Sequence, residues 1–155
     1  MKPTFTIGAF AIIPDDSGSV LLCHRCDFDA WNLPGGTVEH GESPWLAVIR
    51  ETEEETGLHV IVQKLLGIYS KPDKNEIVFS FQCEISGGNI TMTDEADRIE
   101  YFAINALPDT LLEKQRQRIH DWESNNSQPC MKVQFSNRHT QQMHEPATGL
   151  SDLTQ

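Results

Sequence analysis

Positive charge is scarce in this sequence. Twelve lysines and arginines stand against twenty-three aspartates and glutamates in 155 residues, a formal net charge of −11. A nucleic-acid polymer needs a lysine and arginine footprint for its phosphates, so this balance argues against such a partner and for a small-molecule ligand that brings its own cation. Long apolar runs are missing too. No stretch reaches eighteen apolar residues, and the opening MKPTFTIGAF lacks a charged-then-apolar leader pattern, so the expectation is a cytoplasmic protein that neither enters nor crosses a membrane. Cysteine is sparse: of Cys23, Cys26, Cys83 and Cys130, only the CHRC pair has metal-like spacing. Residues three apart on a strand point to opposite faces, so reduced cysteines packed as small hydrophobes are expected, not a zinc or redox site. No internal repeat is apparent. A chain of this length suits one domain, in which roughly two thirds of the unfolded surface can be buried without metal or disulfide staples.

What is present reads as alternating strands and helices. TFTIGAFAII and VLLCHRC are β-rich and flank the turn cluster PDDSGS, which predicts a hairpin with a longer loop. LHVIVQKLLGIYS predicts a strand that bends near Gly67, and EIVFSFQCEI places Ile77, Phe79, Phe81, Cys83 and Ile85 on one face. DRIEYFAI predicts a further strand. LPDTLLEKQRQRIHDWES predicts a helix with Leu111, Leu112, Ile119 and Trp122 as its apolar stripe. Residues 1–124 are thus the expected domain, and 125–155 a polar tail, docked or mobile, with a short strand at MKVQF.

The segment GGTVEHGESPWLAVIRETEEETGL, residues 35–58, holds six glutamates and one arginine, with no lysine between Glu42 and Leu58. Ser43 suits an N-cap, Pro44 the first helical position and Gly57 the stop, which predicts a helix over residues 44–56. At 100° per residue, Trp45, Val48, Ile49, Thr52 and Thr56 share the expected core arc, Glu51, Glu54 and Glu55 fall in a second arc of about 100°, and Glu53 points away. Like charges at helical spacing repel, and nothing nearby in the chain offsets them. Hard oxygen ligands on one helical face suit Mg²⁺ or Mn²⁺ carrying substrate phosphates. The LPGG turn before the helix can bring backbone close to such a ligand.

Gly36, then Glu42 after five residues, then RETEEETGL after seven more, resembles the Nudix box of the Nudix hydrolases, the family of MutT-like and ADP-ribose pyrophosphatase-like enzymes. The pattern, G-x5-E-x7-R-E-U-x-E-E-x-G-U with U aliphatic, departs only at Thr52, whose methyl can still pack. The resemblance extends more loosely over residues 4–122. It implies an α/β/α sandwich with a mixed β-sheet, and Mg²⁺-dependent hydrolysis of a nucleoside diphosphate linked to another moiety by water attack on phosphorus. It also implies metal ligation by Glu51, Glu54 and Glu55 with the Gly35 carbonyl. Arg50 resembles the box arginine that orients a neighbouring carboxylate, and is grouped with Glu54 and Glu95 as catalytic. Similar enzymes often draw one further acid from a loop before the last strand; TDEAD offers Glu95, with Asp94 and Asp97 behind it.

The box identifies the chemistry and leaves the substrate open. Arg25 at the end of VLLCHR is a candidate phosphate contact, and Gly36 and Glu42 join it as substrate-facing residues. Tyr69, Phe28 and Phe5 are aromatic candidates for stacking a base, against ordinary packing. Pro72 resembles the downstream proline of ADP-ribose hydrolases, while the SQPWPFPxS pattern of NADH-cleaving relatives is absent. An ADP-ribose-like substrate therefore ranks first and a nucleoside triphosphate second. A nucleotide-sensing module without turnover is disfavoured because every box glutamate is kept. A homodimer is compatible with this reading.

Overall fold

The computed structural model describes residues 2–124 and 127–136. Among these residues eight strands and two α-helices follow in the order β1 (Thr6–Ile12), β2 (Val20–Arg25), β3 (Trp31–Asn32), β4 (Gly35–Thr37), α1 (Pro44–Thr56), β5 (Leu58–Lys71), β6 (Glu76–Gly88), β7 (Ala96–Phe102), α2 (Glu113–Glu123) and β8 (Cys130–Val133). A five-stranded mixed sheet runs β4-β1-β6-β5-β8, and a three-stranded sheet runs β3-β2-β7. β1 lies parallel to β6 and β5 parallel to β8; the other pairs are antiparallel.

Period-two alternation lets each strand serve two cores. In β1, Ala9 and Ala11 join Leu21, Cys23, Phe81 and Cys83 beneath Ala47 and Val48 of α1. Ile12, from the opposite face of the same strand, joins Val20, Leu22, Trp31 and Leu33 against Leu111 and Ile119 on the α2 side. Both helices thus cover strand faces, the expected α/β/α arrangement. Each fully buried leucine, isoleucine or valine contributes about 1.5–3 kcal/mol through lost apolar exposure. The odd-numbered β6 stripe keeps its predicted face, but Val78 and Ser80 between its members are buried as well, because β6 is central and covered on both sides.

Two expectations are corrected. β1 and β2 do not form a hairpin ladder: they belong to different sheets, and only the extension at Ile13 and Pro14 meets Val20 and Leu21. α2 begins at Glu113, so Leu111 lies outside it, buried against Trp31, and Leu112 is its N-cap. The predicted bend near Gly67 takes the form of register shifts along β5, one of them between Leu65 and Gly67. Cys130–Val133 extends the sheet at the outer edge of β5, so the chain past α2 returns to the fold; the tail beyond Ser136 lies outside the described residues.

Candidate active site

α1 runs Pro44–Thr56 as the caps predict. The Ser43 side chain accepts a hydrogen bond from the Leu46 N–H, worth about 1 kcal/mol in a typical helix, and Gly57 ends the helix at φ 77°, a conformation costly for residues with a Cβ. Thr52, the one departure from the box, is fully buried, and its hydroxyl donates to the Val48 carbonyl at 2.7 Å, so the polar atom is satisfied. The buried arc differs from the predicted one. Ala47, Val48, Thr52, Glu55 and Thr56 are buried, while Trp45 is 56% exposed. The helix therefore presses its acidic edge into the protein, not its Trp45 edge.

That edge carries the site. Glu51, Glu55 and Glu95 each present a carboxylate oxygen within 4.8 Å of the others'. Glu55 is only 7% exposed, beside Cys23, and its Oε1 accepts the Gly35 N–H at 3.4 Å. Burial, then the charge of Glu51, pushes the Glu55 carboxyl up to about 8, against a partial pull downward from the Gly35 N–H. Burial also raises Glu51, opposed by Arg50. Gly35 and Gly36 fit because they lack side chains. A Cβ at Gly35, with φ 149°, would collide with the Ala9 carbonyl, and one at Gly36 would stand 2.6 Å from the Glu51 carboxyl carbon.

Glu95 arrives from the loop before β7, and Thr93 brings it there. The Thr93 hydroxyl donates to the Glu55 backbone carbonyl at 3.2 Å and accepts the Glu95 N–H at 3.2 Å, joining the loop to the end of α1. Thr93 was not legible as a site residue, because its partner is thirty-eight positions away. Of the two alternative acids, Asp97 is taken by His24 at 2.7 Å, whereas Asp94 lines the cleft. His24 also meets Asp29 at 2.9 Å and stacks edge-on against Trp31.

The remaining box residues form a support behind the cluster. Arg50 bonds Glu42, Glu51 and Glu54 and the Thr37 carbonyl at 2.8–3.2 Å. Neither Arg50 nor Glu42 lines the cleft: Glu42, expected to face the substrate, instead holds Arg50, and Arg50 reaches the cluster through Glu51. Arg50 holds the Glu42 carboxyl down at about 2. Glu54, 48% exposed in its side chain, lies toward Arg50 and outside the three-carboxylate set, since one turn of helix aligns it with Arg50 and not with Glu55. Glu53 points away as expected, toward His59 at 3.4 Å. Arg25 lines the cleft, where Asp27 binds it through two bonds of 2.8 and 2.6 Å and the Phe28 ring lies under it. Tyr69 is buried and donates to Asp121 at 2.8 Å, which removes it as a base-stacking surface; Phe5 and Phe28 remain exposed.

Three hard carboxylates converging, one of them buried, with Arg50 reaching only Glu51, fit a divalent metal by charge and donor type. When bound there, such an ion neutralises phosphate charge and activates water for attack. The cleft in front of the cluster encloses about 1250 Å³ and extends past Gly36 and Phe10 to the inner face of α2.

The NUDIX domain profile matches residues 4–122. A candidate 8-oxo-dGTP diphosphatase of Bacillus subtilis is 33% identical over 122 residues, covering 77% of this chain and 81% of that protein. The ADP-ribose pyrophosphatase of Methanocaldococcus jannaschii is 45% identical over 80 residues, 49% of this chain and 47% of that one. Among solved structures, an ADP-ribose pyrophosphatase from Streptococcus suis superposes with a TM-score of 0.70 over 84% of this chain and 100% of its own, at 23% identity, a likeness of fold. The chain belongs to the Nudix family. It is a hydrolase of phosphoric anhydride bonds, in a family that generally uses a divalent metal.

Proposed function

We propose that this enzyme is a Mg²⁺-dependent pyrophosphohydrolase, Mn²⁺ serving in its place, and that it cleaves a nucleoside diphosphate linked to another moiety, ADP-ribose-like, by water attack on phosphorus. The observation that carries this reading is the placement of Glu51, Glu55 and Glu95 at one end of a cleft of about 1250 Å³. That volume exceeds the roughly 300–1,000 Å³ of common small-molecule sites and leaves room for a nucleotide and the group attached to it. Identity to the ADP-ribose pyrophosphatase over the stretch they share supports the same choice.

In this reading Glu51 and Glu55, with the Gly35 carbonyl, hold the cation, Glu54 is a further ligand candidate from the same helix, and Glu95 stands beside them. Glu95 takes the proton of the attacking water, with Glu54 as the alternative base. Arg50 fixes the orientation of Glu51, and Arg25 exchanges Asp27 for a substrate phosphate. Gly36 keeps the wall beside Glu51 open. A second reading, a nucleoside triphosphate pyrophosphatase, draws support from the Bacillus subtilis relative, which aligns over far more of its length than the ADP-ribose enzyme does. A substrate panel with Mg²⁺, read by phosphate release after phosphatase coupling and by product mass, tests both. Turnover of nucleoside diphosphate derivatives above triphosphates supports the first, and the reverse order supports the second.

A further inference from the structure

The acid cluster occupies one end of the cleft; the α2 end is mixed in charge. Lys71, Lys114 and Arg118 line it, together with Glu76, Glu113 and Asp121. The carboxylates there are engaged: Glu76 with Lys71 at 2.8 Å, Asp121 with Lys132 at 2.6 Å, and Glu113 with Arg116 at 3.7 Å. Lys114 and Arg118 have no carboxylate partner among the described residues. Lys114 reaches only the Ser136 hydroxyl, at 3.1 Å. Arg118 is 3% exposed; its Nε and Nη2 share one oxygen of Gln134 at 3.2 and 3.0 Å, and its Nη1 has no hydrogen-bond partner.

A buried guanidinium stays charged and carries donors only, so leaving it without an anion is costly in a folded interior. It is also held in place, 5.3 Å over the Phe10 ring and 5.4 Å over that of Tyr69. Phe10 lines the cleft and pairs with Gly35 across β1 and β4, so it lies between this end and the acid cluster. Asp73 and Glu76 act on Lys114, and Glu76 on Arg118, only through space; in a chain of net charge −11, two cations without an ion-pair partner thus stand one helical turn apart on the wall of one cleft.

We infer that Arg118 and Lys114 form an anion subsite that takes a phosphate, or an equivalent oxyanion, carried by the part of the substrate remote from the acid cluster. The inference rests on the reading of the cleft as the substrate site. Burial draws Arg118 down to about 10 and lowers Lys114, and the more distant Glu76 and Asp73 offset this only in part. The subsite therefore selects among nucleoside diphosphate derivatives for those with an additional anionic group.

The test uses inorganic phosphate as the probe, with EDTA present so that the acid cluster repels anions and contributes no binding. In ¹⁵N-labelled protein the Arg118 Nε–H resonance is followed as phosphate is added at constant ionic strength. The expected result is a saturable shift that chloride does not reproduce, with affinity about tenfold weaker in Lys114→Gln, the loss of one charge-assisted hydrogen bond. Lys114→Gln keeps the Arg118 reporter and so carries the test. No saturable shift, or one unchanged in Lys114→Gln, overturns the subsite. Mg²⁺-dependent hydrolysis by the wild type is measured in parallel. Hydrolysis without the phosphate response rejects the subsite alone, and the response without hydrolysis rejects the proposed function alone.

Discussion

Arg50 holds the Glu42 carboxylate through two bonds, 2.8 Å from Nε to Oε2 and 2.9 Å from Nη2 to Oε1, while its Nη1 reaches Glu51 at 3.1 Å. The only arginine of the acidic segment thus lies behind the cluster and is itself fixed by an acid that never meets the cleft. Glu42→Gln should lower kcat by roughly tenfold or more, the usual effect of losing an outer partner of a ligand set, with KM little changed. Steady-state kinetics on the preferred substrate check this. A rise in KM with kcat intact would return Glu42 to substrate contact.

Adjacent glutamates should differ sharply. Glu51→Gln and Glu55→Gln are expected to cost on the order of 10² or more in kcat, and Glu53→Gln to be nearly silent. Glu54→Gln measures how far that side chain leaves Arg50 during turnover; a loss of the same order makes it part of the working set. Equal losses at Glu53 and Glu55, with folding intact by circular dichroism, would contradict the orientation of α1.

Millimolar Mg²⁺ or Mn²⁺ should raise Tm, since a cation bound only by the native cluster stabilises it and relieves carboxylate repulsion. The metal must displace the proton of Glu55, whose carboxyl is pushed up to about 8, so the shift should shrink as pH falls below that value. Thermal scans across pH with and without metal provide the measurement, and Glu55→Gln should blunt the response. A shift independent of pH would show that Glu55 takes no part.

His24 should make the Glu95 loop sensitive to pH. Both ring nitrogens face carboxylate oxygens, Asp29 at 2.9 Å and Asp97 at 2.7 Å, and only the imidazolium can donate to both; Arg98 is its cross-strand neighbour on β7. The two acids raise its pKa above the ordinary value, so the clamp's stabilisation is complete below about pH 6.5 and is lost as pH rises through the higher folded-state value. The Tm difference between wild type and His24→Gln, in EDTA, should narrow over that rise. A difference that widens toward alkaline pH would refute the clamp.

Features set by short-range chemistry were legible in the sequence. Ser43, Pro44 and Gly57 bounded α1 to the residue, and box spacing brought Glu51 and Glu55 together. Relations across the chain were not. Nothing local told that β1 and β2 would enter different sheets, because each carries apolar residues on both faces and suits either partner. Trp45 satisfied helical periodicity yet stayed exposed, since periodicity fixes which residues share a face and not which face the strands cover. Thr93, His24 and Arg118 drew no attention because a threonine, a histidine or an arginine acquires meaning only from its distant neighbour.

The role of Glu95 separates base from ligand. If it accepts the proton of the attacking water, Glu95→Gln should lower kcat far more than it weakens the metal-dependent Tm shift, because the amide keeps its size and cannot take the proton. Asp94→Asn and Asp97→Asn should do less. Full activity in Glu95→Gln would move the base to Glu54.

Hydrolysis in ¹⁸O-water tests the central claim most directly. With Mg²⁺ present, attack at phosphorus places the label on a phosphate-bearing product and leaves the sugar unlabelled, as mass spectrometry of the separated products will show. Label found only on the sugar would contradict the assignment of the acid cluster as the reacting centre.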